Sequence, residues 1–192
     1  MRRLVNVTLA IAGVMSFLLL TSSSSSAQKL SKSIHIQAQA MGTSTQLGRS
    51  MNVTLIIEEY STAEDQRALL GAFNEKQNEG LVNALSKMHS KGRLAITGTL
   101  GYDVNYIRLF QMPDGSKKLR LVTDRPITFG EAWSSSRSMD YSLSALEIII
   151  SPDKKKNSGT LLPACQFKID KEGQLEIEVL QNPWKLTNIM KR

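Results

Sequence analysis

The residues with the most chemical potential stand close together in the chain. Tyr102, Asp103, Tyr106 and Arg108 approach a turn, Asp124 and Arg125 lie where the chain has come back, and Glu131, Trp133, Arg137, Asp140 and Tyr141 follow within the next segment. Arginine presents a planar fork of donors that matches a carboxylate or phosphate, while tryptophan and tyrosine add flat contact surface. The set therefore predicts a rim that grips an anionic group. The ordinary account of the same residues is a local ion pair between Asp124 and Arg125 at a strand end, with Pro126 stopping the ladder and loop polarity around it. Carboxylates at Asp103, Asp124, Glu131 and Asp140 make a hydrolase only if two of them face each other across a cleft.

Other chemistries find less support. His35 and His89 are the only histidines, too few for a histidine-rich metal centre, and neither a metal nor a cofactor is expected. Cys165 alternates with Phe167 and Ile169 on an apolar face, the setting of a buried inert thiol rather than a nucleophile. No Gly-x-Ser-x-Gly elbow and no phosphate-binding glycine pattern occurs. Lys154-Lys155-Lys156 and the cluster Lys117, Lys118 and Arg120 read as solvated hairpin charge, so nucleic acid is not an expected partner. A small ligand or an anionic component of the cell envelope fits the same charges. The sequon at Asn52-Val53-Thr54 matters only in a host that glycosylates.

Strands must position these groups. Gly101 to Ile127 reads as a β-hairpin around Met112-Pro113-Asp114-Gly115, with proline to fix φ, then aspartate, then glycine for the left-handed step into the second strand. Asp170-Lys171-Glu172-Gly173 repeats that turn. Val53, Leu55 and Ile57 alternate before it, as do Leu94 and Ile96, and Leu146, Leu161, Leu175, Ile177, Val179, Leu186 and Ile189 continue the extended pattern. Residues 33–40 alternate too, although their core face of Ile34, Ile36, Ala38 and Ala40 is thin. Ser61-Thr62-Ala63-Glu64 fits a capping box. It opens a helix with Leu69, Leu70 and Phe73 as its stripe, and a second helix follows near Glu79 with Leu81, Val82, Leu85 and Met88 inward and Gly92 as its stop, one bent helix being the alternative.

The first 27 residues look removable. A basic start at Arg2-Arg3, an apolar run from Leu4 to Leu20 and a small-residue exit at Ser25-Ser26-Ala27 predict a signal peptide cut after Ala27, and no stable membrane span is expected afterwards. Cleavage leaves 165 of 192 residues with 22 basic against 17 acidic side chains, a net +5. That length suits one domain able to bury its own core, and a single cysteine cannot form an internal disulfide.

Ser61-Thr62 entering the helix, Gly98-x-x-Gly101-Tyr102-Asp103, Thr123-Asp124-Arg125-Pro126-Ile127, Asp140-Tyr141 before Leu146-Glu147, and Pro183-Trp184-Lys185-Leu186-Thr187 resemble a group of short exported bacterial proteins of unknown function. The resemblance covers most of the chain beyond Ala27 and implies an exported bacterial protein with one intact domain. It brings no activity, cofactor or functional residue with it.

The expected fold is therefore α+β: an antiparallel meander of about six to eight strands, open or barrel-like, against a pair of short helices. Residues 1–27 are the signal peptide, 28–50 a polar lead-in and 51–192 the single α+β domain. The expected function is a secreted or periplasmic, non-enzymatic binding or structural module. A β-barrel carrier of a small apolar or amphipathic ligand and a carboxylate-dependent hydrolase stand as alternatives.

Overall fold

Each alternating strand needs a second apolar face, and the chain supplies it by rolling its strands into a tube. The structure, a computed structural model, describes residues 29–43, 46–127, 141–178 and 183–192. Within these lie strands β1 (Lys29–Met41), β2 (Ser50–Glu59), β3 (Gly92–Ile96), β4 (Tyr102–Val104), β5 (Tyr106–Gln111), β6 (Lys117–Thr123), β7 (Leu143–Ile150), β8 (Ser158–Ile169), β9 (Leu175–Glu178) and β10 (Trp184–Lys191), with helix α1 (Ala63–Leu85) between β2 and β3. The strands pair antiparallel in the order β4-β3-β2-β1-β10-β8-β7-β6-β5, and β9 adds to β8. The two ends of that path, β4 and β5, are separated in sequence by Asn105 alone, so the sheet curls into a nearly closed barrel.

The meander is as expected, but among the described residues it has ten strands rather than six to eight, and the helical layer is one bent α1, the alternative to two separate helices. Its helical geometry breaks at Lys76 and at Gln77, where φ is +52°, and the two halves then fold close enough that a Cβ on Gly80 would strike the Ala72 carbonyl. The cap lies one residue later than Ser61: the Thr62 hydroxyl accepts from the Asp65 N–H at 3.1 Å, and Asp65 Oδ2 accepts from the Thr62 N–H at 2.8 Å. Ser61 instead bonds to β5, accepting from the Ile107 N–H at 2.9 Å and donating its own N–H to the Ile107 carbonyl at 2.7 Å. The helix ends at Leu85, well before Gly92, which belongs to β3.

The alternation of residues 33–40 in the polar lead-in belongs to a strand. Its residues form β1, the closing strand, bonded to β2 on one side and β10 on the other. The small residues Ala38 and Ala40 are both buried in the barrel core beside Trp184, so a thin face is what a crowded interior requires.

Two apolar cores result. The barrel interior takes side chains from every wall, among them Ile36, Leu55, Ile107, Leu119, Leu146 and Trp184. The second core lies outside the wall, where Leu69, Phe73, Leu81 and Leu85 of α1 meet Tyr106, Val122, Leu143, Ala145, Leu162, Cys165, Phe167 and Ile177. Full burial of one such aliphatic side chain is worth about 1.5–3 kcal/mol, so both cores matter to stability. Two cores also explain why β8 departs from simple alternation. Leu161, Leu162, Ala164 and Cys165 are all buried because both faces of this strand are covered and its register with β7 shifts.

Turn chemistry behaves as read. Gly115 (φ +79°) and Gly173 (φ +74°) donate their N–H groups to the Met112 and Asp170 carbonyls, 3.0 and 3.1 Å away, so the same turn is built twice. Asn188, at φ +51°, inserts an extra residue in β10. It lets Leu186 and Ile189, three apart, both reach the interior.

Candidate functional site

A crevice of about 260 Å3 opens where α1 crosses the outer wall of the barrel. Its walls are Leu69, Leu81 and Leu85 from the helix, Val122 from β6, Phe167 from β8 and Leu175 from β9. Phe110 adds a ring, and Gln66, Tyr106, Lys118, Arg120, Asp170, Gln174 and Glu176 bring polar groups to the lining. The alternation of β5 and β6 produces this division: Ile107, Leu109, Leu119 and Leu121 pack with the barrel interior, which leaves Tyr106, Arg108, Phe110, Lys118 and Arg120 on the outer face. Because the turn pairs Gln111 with Lys117, Arg108 falls directly opposite Arg120 and Phe110 opposite Lys118.

All three cations converge on one ring. The Arg108 guanidinium lies 5.2 Å from the centre of Phe110, the Lys118 ammonium 5.4 Å and the Arg120 guanidinium 5.6 Å. Arg120 is anchored, its Nε donating to Glu147 Oε1 at 2.7 Å and its Nη1 to the Leu175 carbonyl at 2.9 Å. Arg108 is less complete: its Nη1 is buried without a hydrogen-bond partner. Burial pushes the Tyr106 phenol above its ordinary pKa of 10.0, and the Arg108 guanidinium, bonded to that phenol, opposes the shift in part.

Four ties hold the helix over this crevice. Ser61 fixes its approach to β5. Lys91, only 1% exposed, places its ammonium 2.8 Å from Glu59 Oε1 at the end of β2 and 3.2 Å from Asp65 Oδ2 in the first turn of α1. The hydrogen bond from Lys91, helped by His89 at 3.1 Å, holds the Glu59 carboxyl below its usual range. Past the break in the helix, Asn78 binds the β8 backbone on both sides, accepting from the Phe167 N–H at 2.7 Å and donating to the Phe167 carbonyl at 3.1 Å. The Gln66 amide donates to Gln174 Oε1 at 2.6 Å beside the turn that leads into β9.

Of the sequence-predicted rim, Tyr106 lines the crevice and Arg108 lies next to it over the Phe110 ring, while Tyr102, Asp103, Asp124 and Arg125 are placed elsewhere. Tyr102 packs against the barrel interior, on the opposite side of the wall from Tyr106, because the chain changes face at Asn105 between the buried Val104 and Ile107. Asp103 lies 3.9 Å from Arg93 on β3, and Asp124 lies 3.3 Å from Arg125, so each carboxylate has an arginine of its own. The Arg125 carbonyl accepts from Thr123 Oγ1 at 2.6 Å and Ser144 Oγ at 2.7 Å, which builds a strand end. Glu131, Trp133, Arg137 and Asp140 lie outside the described residues, as do Val179 and the leader.

Sequence reasoning missed Phe110, Lys118, Arg120, Asn78 and Lys91. The first three carried a signal, since the turn at Pro113 already sets which residues of the two strands stand opposite. Lys91 carried a misleading one, because it reads as a helix-end cation. His89 pairs with Glu59 rather than with the helix terminus, and His35 with Ser33 Oγ at 3.1 Å. Burial drives the Cys165 thiol up to about 12, which suits a packing role. Among the described residues no cluster of three or more histidine, cysteine or carboxylate side chains is placed to hold a metal ion, and no helix is long and apolar enough to cross a membrane. No protein-family model matches the chain, and no curated protein or solved structure is similar enough to it to count as a match.

Proposed function

We propose that the protein is an exported, non-enzymatic binding module that takes a small ligand into the crevice between α1 and the barrel wall. The observation that carries this reading is the crevice itself, an opening of about 260 Å3 whose lining joins leucine and phenylalanine side chains to polar and charged ones. That composition is the usual one for a small-molecule site. Export is supported by the composition of residues 1–27.

The test is binding of the neutral fluorophore N-phenyl-1-naphthylamine by the purified protein, before and after Leu175→Trp. The larger side chain at the crevice mouth occupies the ligand's space while the Leu175 carbonyl keeps its bond to Arg120. Affinity is expected to fall about tenfold or more, the loss of one good apolar contact surface. Unchanged affinity in Leu175→Trp, or no uptake of the probe by the wild type, overturns the reading.

A second reading has its own observation. The barrel's end carries a depression of about 380 Å3, lined by Ile34, Ile36, Ile57, Leu109, Leu119 and Ile150 with Lys117 and Lys191 beside it. The carrier alternative then places an apolar ligand in the barrel mouth, above the filled interior. In that case Ile34→Trp abolishes uptake of the fluorophore and Leu175→Trp leaves it intact.

A further inference from the structure

We propose that the ligand of the crevice is an amphipathic carboxylate: a ring or branched hydrocarbon about the size of benzene, with its acid group on a short arm reaching Lys118, where Arg108 adds its charge from across the Phe110 ring. This rests on the crevice being the ligand site and adds the chemistry of what enters it. Size sets the first limit. The crevice of about 260 Å3 is less than twice the roughly 150 Å3 apolar cavity known to admit benzene. A ring plus a few further atoms fills it.

Charge sets the second. Arg108 and Arg120 are direct cross-strand neighbours, an arrangement of like charges that costs stability unless something between them is negative. Glu147 answers Arg120 alone. Neither Arg108 nor Lys118 has a carboxylate partner among the described residues, and the buried Nη1 of Arg108 makes no hydrogen bond. An unpaired buried donor is costly, and an unpaired charged one more so. The two nearby acids of the crevice are engaged elsewhere: Asp170 Oδ1 accepts from the Glu172 and Gln174 N–H groups at 3.0 and 2.7 Å, and Glu176 lies 3.8 Å from Lys168. Lys118 therefore lines the crevice with Arg108 next to it on the Phe110 ring, and neither cation has a carboxylate of its own among the described residues. A carboxylate at Lys118 supplies the negative charge that these two cations lack and leaves its hydrocarbon against Leu81, Leu85 and Phe167.

The experiment titrates the purified protein with 4-phenylbutyrate and with 4-phenylbutan-1-ol, followed by amide chemical shifts of Phe110, Phe167 and Leu175. The acid is expected to bind at least about tenfold more tightly than the alcohol, the worth of a charge-assisted hydrogen bond. That advantage shrinks in high salt, and it disappears in Arg108→Gln and in Lys118→Gln while the alcohol's affinity holds. Lys118→Gln changes a half-exposed side chain, so the comparison survives if Arg108→Gln fails to fold. Equal affinity of acid and alcohol overturns the carboxylate proposal and leaves the crevice reading standing. Binding of neither compound at the crevice overturns both.

Discussion

Replacing Lys91 with methionine is expected to be among the most destabilising single changes outside the apolar cores. The ammonium is 1% exposed and serves two carboxylates on different elements, Glu59 at the end of β2 and Asp65 at the start of α1. Methionine fills the space but leaves both acids facing an apolar group. Removing one partner of a buried ion pair costs about 3–5 kcal/mol. The two acids keep 14% and 22% exposure and gain some solvation, which places Lys91→Met toward the lower end. A loss of about 3 kcal/mol in a chain this long corresponds to a fall in Tm of roughly 6–12 °C. Glu59→Gln should cost about half as much, because Asp65 still neutralises the lysine. The pH dependence has a defined sign. The folded Glu59 carboxyl sits below its ordinary 4.5, held there chiefly by the Lys91 hydrogen bond. Its contribution is therefore fully present above about pH 4.5 and is lost as pH falls through the lower folded value. Thermal unfolding followed by circular dichroism from pH 7 downward checks both points, and Lys91→Met should flatten the acid-side slope. A Lys91→Met protein as stable as the wild type, or a Glu59→Gln loss equal to that of Lys91→Met, refutes the reasoning.

Asn78→Ala removes the side chain that pairs with both backbone groups of Phe167, and a loss of about 1–3 kcal/mol in denaturant unfolding is expected with weaker ligand uptake by the crevice. Asn78→Ala with wild-type stability shows that water replaces the amide at no cost. Cys165, buried and with its thiol pushed up to about 12, should resist Ellman's reagent at pH 8 until the protein is denatured. Stoichiometric reaction under native conditions contradicts its placement in the outer core.

The strands were legible wherever one face of the chain meets an apolar core and the other meets water, as in β2, β5, β6 and β9. Both aspartate-glycine turns were legible because each glycine is required for a left-handed step. What escaped reading is what depends on curvature. Ala38 and Ala40 look too small to anchor a strand until the barrel closes around them, and β8 loses its alternation because the helix covers its second face. The candidate site suffered the same way. Tyr102 and Tyr106 look like neighbours on one strand, yet the change of face at Asn105 puts a wall between them. The arginine pair across the hairpin was within reach of the sequence, since the turn fixes which residues oppose. Lys91 was not, because its two carboxylate partners lie 32 and 26 positions away along the chain.

The seam of the tube joins the beginning of the chain to its end: Ile36 stands opposite Lys191, and Met41 opposite Lys185. The strands between β1 and β10 have to be in place before that seam can shut. Contacts between such remote stretches form slowly, since the intervening loop entropy must be overcome first. Ile36, Ala38 and Ala40 therefore gain their full cover only when β10 zips onto β1.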